Sequence, residues 1–194
     1  MTIMDPKLER QLRMGFKWFN RYMILHWRLG LGPYGNRTEL SGQIMVLTHT
    51  GRKSGKHYRT PLNYVIVNED VYCMSGAGQV SDWFRNLKAN PAVEIWLPHH
   101  GWWAGVAEEV VGAENYLDLM RAVLIASGFA ARVAGLAPRK MSDEELAAAA
   151  ASYRLVCIRR THARTGPGGP GDLAWIWPLA TMILLPLALF RRRR

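Results

Sequence analysis

Apolar and polar positions follow a helical period at the start of the chain and a two-residue period through its middle. Over residues 7–29, Leu8, Leu12, Phe16, Phe19, Met23 and Trp27 fall within an arc of about 100° on a helical projection. Arg10, Arg13, Lys17, Arg21 and Arg28 cluster within about 80° on the other side. This predicts an amphipathic helix. It either packs on its own domain with a solvated basic face, or lies in a lipid interface with its cations near anionic headgroups. Gly30, Gly32, Pro33 and Gly35 stop it. Strands are predicted at 43–48, 58–67 and 71–75, the last two joined by the turn residues Asn68, Glu69 and Asp70. Ser75-Gly-Ala-Gly78 leaves the third strand on flexible backbone. A short helix over 83–89, capped by Ser81 or Asp82, ends at Asn90-Pro91. A hairpin of 92–97 and 102–109 turns at Pro98-His-His-Gly101. Helices follow over 113–127 and from the Ser142-Asp-Glu-Glu145 cap, and a sixth strand closes at 153–160. That order predicts an α+β fold around a mostly antiparallel sheet or small barrel, with no doubly wound βαβ pattern.

Residues 161–171 are dominated by Gly and Pro and read as a linker between a barrel domain over 41–160 and a hydrophobic tail over 172–194. Residues 173–190 carry no charge, and at helical rise they would reach about 27 Å, just short of a hydrocarbon core of about 30 Å. Trp175 and Trp177 at one end and Arg191–Arg194 at the other resemble an interfacial belt and anchor. The expectation is a membrane-associated tail on the cytoplasmic side, re-entrant or lying in the interface, since a span would carry the arginines across. A tail packed on protein and a disordered tail remain as alternatives.

The net charge is +10, but it is local. Residues 1–40 carry seven Lys/Arg against three Asp/Glu, while residues 51–60 and 191–194 each add four cations without an acid. The remainder is slightly acidic, which argues against a nucleic-acid binder. Cys73 and Cys157 sit in apolar runs and read as buried thiols of a reducing compartment, with no disulfide framework. No uninterrupted apolar stretch near the start suggests a secretory signal. The histidines show no metal-ligand spacing, and no nucleophile elbow is present.

Between the first two strands, Gly51-Arg-Lys-Ser-Gly-Lys56 places two glycines among four side-chain donors, with Arg59 shortly after. Such a bend suits a phosphate or a group of carboxylates, because backbone N–H groups and cationic side chains can converge on one anion. It is not a Walker loop, being one residue short and followed by His57 where a Mg²⁺-binding hydroxyl would stand.

Thr48-His-Thr-Gly-Arg-Lys-Ser-Gly-Lys56, Arg59-Thr-Pro-Leu62 and Trp83-Phe-Arg-Asn-Leu-Lys-Ala-Asn-Pro91 resemble the signature runs of the deazaflavin-dependent nitroreductase family. That family belongs to the split β-barrel flavin and deazaflavin oxidoreductases. The resemblance implies a split β-barrel and a reductase that passes hydride from reduced deazaflavin coenzyme F-420 to a quinone, nitro compound or enone. It carries Gly51, Arg52, Lys53 and Ser54 to the coenzyme's phosphate, with Arg59 and Pro61 beside them. Ser75 and Gly76 would run along the ring, and Trp83 and Asn86 would close over it. Ser75 is the catalytic candidate, as a hydrogen-bond donor to the acceptor or part of a proton relay.

The sequence departs from the family at Tyr58, where Arg is frequent, and at Gly76, where characterised members carry Lys. The family's substrate-facing tyrosines are replaced here by Val123, Leu124, Ile125, Phe129 and Val133, with Tyr116 and Tyr153 nearby. A lipophilic small-molecule substrate is the expectation. A non-catalytic deazaflavin or lipid carrier, and an FMN-dependent oxidoreductase on the same fold, are the alternatives. The oligomeric state stays open.

Overall fold

The computed structural model describes residues 6–35 and 42–191. Strands β1 (Ile44–Thr50), β2 (His57–Val67), β3 (Asp70–Ser75), β4 (Ala92–Leu97), β5 (Gly101–Glu109) and β6 (Arg154–Ala163) close into a barrel. Its order is β1-β2-β3-β6-β5-β4 and every neighbouring pair is antiparallel. The two-residue period of the sequence sorts side chains between inside and outside. In β3, Val71, Cys73 and Ser75 are buried, while Tyr72 and Met74 turn to the helices outside. Both cysteines are free and buried, and Cys73 lies in the main core, where burial pushes its thiol up.

Helix α1 (Pro6–Arg28) leads in, followed by the single turn α2 (Gly32–Gly35). Helix α3 (Asp82–Ala89) sends Phe84 and Leu87 into the barrel core beside Met45, Leu47, Tyr64 and Ile95. Helices α4 (Tyr116–Ala126), α5 (Phe129–Val133) and α6 (Asp143–Ala149) form a second layer. Leu119, Met120, Val123, Leu124 and Leu146 from this layer cover Val65, Val67, Tyr72 and Met74. Ser142 and Glu145 make the capping box at the start of α6 that their spacing predicts.

The last part of α1 meets the barrel in the way its apolar arc suggests. Met23 and Trp27 are buried, and the Trp27 and Trp96 rings lie 6.3 Å apart over Val46. Phe19 is half exposed instead, and a second apolar row, Trp18, Tyr22 and Leu25, faces outward next to Lys17 and Arg21. The side chains of Leu8, Arg10, Leu12, Arg13 and Phe16 lie outside the described residues.

The stretch read as a linker is tied down. Strand β6 continues to Ala163, and beyond it Asp172 accepts from Nε and Nη2 of Arg28 at 2.9 Å each. Main-chain N–H groups of Gly171 and Leu173 donate to the carbonyls of Trp27 and Arg28, and the Trp177 indole donates to the Leu29 carbonyl at 2.8 Å. Helix α7 (Ile176–Arg191) leaves from this root. Leu179, Met182, Ile183, Leu184, Leu185, Leu187 and Leu189 along it are all exposed, from 49% to 74%. Among the described residues no helix is long and apolar enough to cross a membrane. Residues 192–194 lie outside the described residues.

Candidate functional site

The β1–β2 bend is closed by main-chain bonds from Gly51 N–H to the Lys56 carbonyl and from Gly55 N–H to the Gly51 carbonyl, both 2.8 Å. A side chain at Gly51 has no room, because a Cβ there would lie 2.5 Å from the Tyr58 ring. Ser54 Oγ accepts from Lys56 N–H and lies 3.1 Å from the Tyr58 hydroxyl. Lys53 and Lys56 are exposed and pair with no carboxylate among the described residues.

Arg52 turns across to α3. Its Nη1 donates to Asn86 Oδ1 at 2.9 Å, its Nη2 to Asp82 Oδ1 at 3.0 Å, and its main-chain N–H to the same Asn86 oxygen at 3.1 Å. With Oδ1 accepting two bonds, the Asn86 amide nitrogen is left to donate, and it lies 3.1 Å from His49 Nδ1. His49 Nδ1 is therefore an acceptor, and Nε2–H donates to Thr60 Oγ1 at 3.1 Å. Burial pushes the His49 imidazole down to about 4, with the charge of Asp82 opposing. The chain Arg52–Asn86–His49–Thr60 thus links the bend, α3 and two barrel strands through one neutral histidine.

Because the unfolded imidazole titrates near 6.5, the unfolded state binds the extra proton between about pH 6.5 and 4. Stability should fall as pH drops through that window, by at most about 1.4 kcal/mol per pH unit from this group. Urea midpoints measured from pH 7 to 4 should decline more steeply for the wild type than for His49→Gln. Parallel declines would contradict the assignment.

The structure brings together Gly51, Arg52, Lys53, Ser54 and Asn86. Trp83 stands one turn before Asn86, half-buried and edge-on to Phe84 at 6.2 Å. Arg59 and Pro61 are not in this group. Alternation on β2 turns Thr60 inward to His49 and Arg59 outward, where its guanidinium bonds the Gly168 carbonyl and lies 4.5 Å over the Trp96 ring. Pro61 follows on the same side, opposite Val46 of β1. Ser75 is buried at the end of β3, and its hydroxyl donates to the Gly78 carbonyl at 2.9 Å. That bond pins the 75–78 loop, and Gly78 holds φ +59 where a Cβ would strike the Ser152 carbonyl. Gly76 beside it faces open space.

Sequence reasoning missed His49, Thr60 and the reach of Asp82. The available signal was parity, since His49 falls on the same side of β1 as the core residues Met45 and Leu47. Of the apolar stretch expected to face a substrate, Val123 and Leu124 are core residues, whereas Phe129 and Val133 are more than 60% exposed. Tyr116 and Tyr153 pack against the same α4 core. Among the described residues no cluster of His, Cys, Asp or Glu could hold a metal ion.

Among the described residues, three cations, a hydroxyl and main-chain donors at the bend face a single carboxylate, that of Asp82, which is 83% exposed. This donor set fits a polyanion such as a phosphate with carboxylates attached. A closed antiparallel barrel of six strands with flanking helices is the split β-barrel architecture. Residues 21–136 match the F420H(2)-dependent quinone reductase family, and the chain belongs to it. A Mycobacterium tuberculosis protein described as an F420H(2)-dependent quinone reductase is 39% identical over 54 residues, 26% of this chain. The match spans only 45% of that relative's length. Solved structures give remote likenesses. An F420-H2 dependent reductase is 23% identical with a TM-score of 0.40, over 60% of this chain and 94% of that one. The haem storage protein of Vibrio cholerae is 12% identical with a TM-score of 0.45, over 69% and 92%.

Proposed function

We propose that the protein is a reductase that passes hydride from reduced coenzyme F-420 to a lipophilic acceptor, a quinone foremost and nitro compounds or enones besides, at a membrane surface. The observation that carries this reading is the undercompensated cationic bend, within a chain of the quinone reductase family. Lys53, Lys56, Ser54 and the main-chain donors would take the coenzyme's phosphate and tail carboxylates. Arg52 would join them by exchanging Asp82, since an exposed ion pair of this kind is worth only about 0–1 kcal/mol. Asn86 holds the Arg52 main chain and guanidinium together, so the cation is positioned before any anion arrives. When bound, the coenzyme supplies the hydride. The protein's part is to fix ring and acceptor in contact and keep water out. Ser75 serves by locking the 75–78 loop through Gly78, and it can donate to an acceptor only by exchanging that bond.

The membrane part of the reading rests on α7 and on the outward row of α1. Helix α7 is apolar all round, 16 residues or about 24 Å long, and rooted beside the tryptophans 175 and 177. That is shorter than a hydrocarbon core, so it would enter one leaflet or lie in the interface, on the cytoplasmic side. The barrel of 41–160 would then be the coenzyme domain and 172–194 the membrane-facing tail. Flotation with anionic vesicles should carry the wild type and leave Leu184→Glu/Leu187→Glu in solution. Equal flotation of both would remove the tail from the account.

A further inference from the structure

A cavity among the described residues belongs to neither the bend nor the tail. It measures about 860 Å³ and lies between the C-terminal half of α4, α5 and the 136–140 segment, with Gly42, Gln43 and Val65 of the β2 side as its floor. Val65 is eight residues along β2 from His57, roughly 26 Å at about 3.3 Å per residue, so a ligand here is remote from the anion-binding bend. The volume falls in the range of small-molecule sites, and Leu124, Ile125, Ala131 and Leu136 make the interior apolar.

Its rim is cationic. Arg132, Arg139 and Lys140 all line it, and residues 128–141 contain no acid. Asp143, just beyond, is already paired with Arg121 at 2.7 Å. The same Arg121 donates to the carbonyls of Pro138 and Met141, so the outer wall is braced by one arginine while Arg132 and Lys140 pair with no carboxylate among the described residues. Apolar lining under a mouth that carries Arg132 and Lys140 matches a molecule with a greasy body and one negative end.

We propose that this cavity binds a single-chain amphiphile with a carboxylate head, of the fatty-acid type, its chain against Ala122, Ile125 and Leu136 and its head at Arg132 and Lys140. The site is separate from the hydride-transfer site and independent of it. The test is displacement of a fluorescent polyene fatty acid from the full-length protein by oleate and by methyl oleate. Oleate should compete at one site, and the uncharged ester should bind at least tenfold more weakly. Arg132→Glu/Lys140→Glu, both exposed and without a side-chain carboxylate partner among the described residues, should weaken oleate at least tenfold, and Ala122→Phe should weaken both ligands by filling the cavity. Affinity for reduced coenzyme F-420 should not change in either variant. Equal binding of acid and ester, wild-type affinity in the charge-reversed variant, or competition between oleate and the coenzyme would each overturn the proposal. So would binding to phosphatidylglycerol vesicles without binding of monomeric oleate.

Discussion

Replacing Arg52 and Lys53 together by alanine is expected to weaken binding of reduced coenzyme F-420 by more than a hundredfold, about 3 kcal/mol. On the proposed reading each substitution would remove a charge-assisted contact to a multiply charged ligand, and such contacts are worth about 1.5–3 kcal/mol apiece. The two positions differ in what else they do. Lys53 has no carboxylate partner among the described residues, so its loss should appear in affinity alone. Arg52 also braces Asn86 and Asp82, so Arg52→Ala should lower the urea midpoint as well as the affinity. Isothermal titration of the double variant and both singles, alongside urea melts, separates the two contributions. An unchanged affinity in the double variant would mean that the bend does not hold the coenzyme.

Trp27→Ala should be among the most destabilising single changes in the protein, at about 3–5 kcal/mol. Trp27 is 2% exposed and fills the space between Val46 and Trp96 on the outer wall of the barrel. Its indole nitrogen has no hydrogen-bond partner among the described residues, so the loss is one of packing and cavity formation. For a chain of this size the cost corresponds to a fall in Tm on the order of 10 °C, readable by calorimetry. The Trp27 carbonyl also receives the Gly171 N–H, and Arg28 next to it holds Asp172. The root of α7 should therefore loosen with the same substitution, and a Tm shift under 2 °C would mean that α1 is not clamped through this ring.

Much of this architecture was legible because its cause is local. Alternating apolar residues, the Asn68-Glu69-Asp70 turn and the Ser142 cap each carry their conformation in adjacent positions, and all six barrel strands lie where the two-residue period puts them. The bend was legible for the same reason. What failed to show depends on partners far apart in sequence. Nothing near Arg52 announces Asp82 and Asn86, thirty and thirty-four residues on. Arg59 is a different case. Counting by twos from the buried Tyr64 puts Thr60 inside and Arg59 outside, yet family likeness groups Arg59 with the bend. The outward Trp18, Tyr22 and Leu25 row was hidden because the helical projection assumes one buried face along all of α1. Among the described side chains of α1, Met23 and Trp27 are covered by the barrel while Phe19 stays exposed.

The central claim is that the bend seizes a redox coenzyme whose hydride goes to a lipid-soluble acceptor. Anaerobic addition of one equivalent of a menaquinone analogue to protein saturated with reduced coenzyme F-420 tests it most directly, followed by the coenzyme's absorbance. The account predicts stoichiometric oxidation that vanishes in Arg52→Ala/Lys53→Ala at the same coenzyme concentration. Tight coenzyme binding without oxidation, or oxidation equally fast in the double variant, would contradict it.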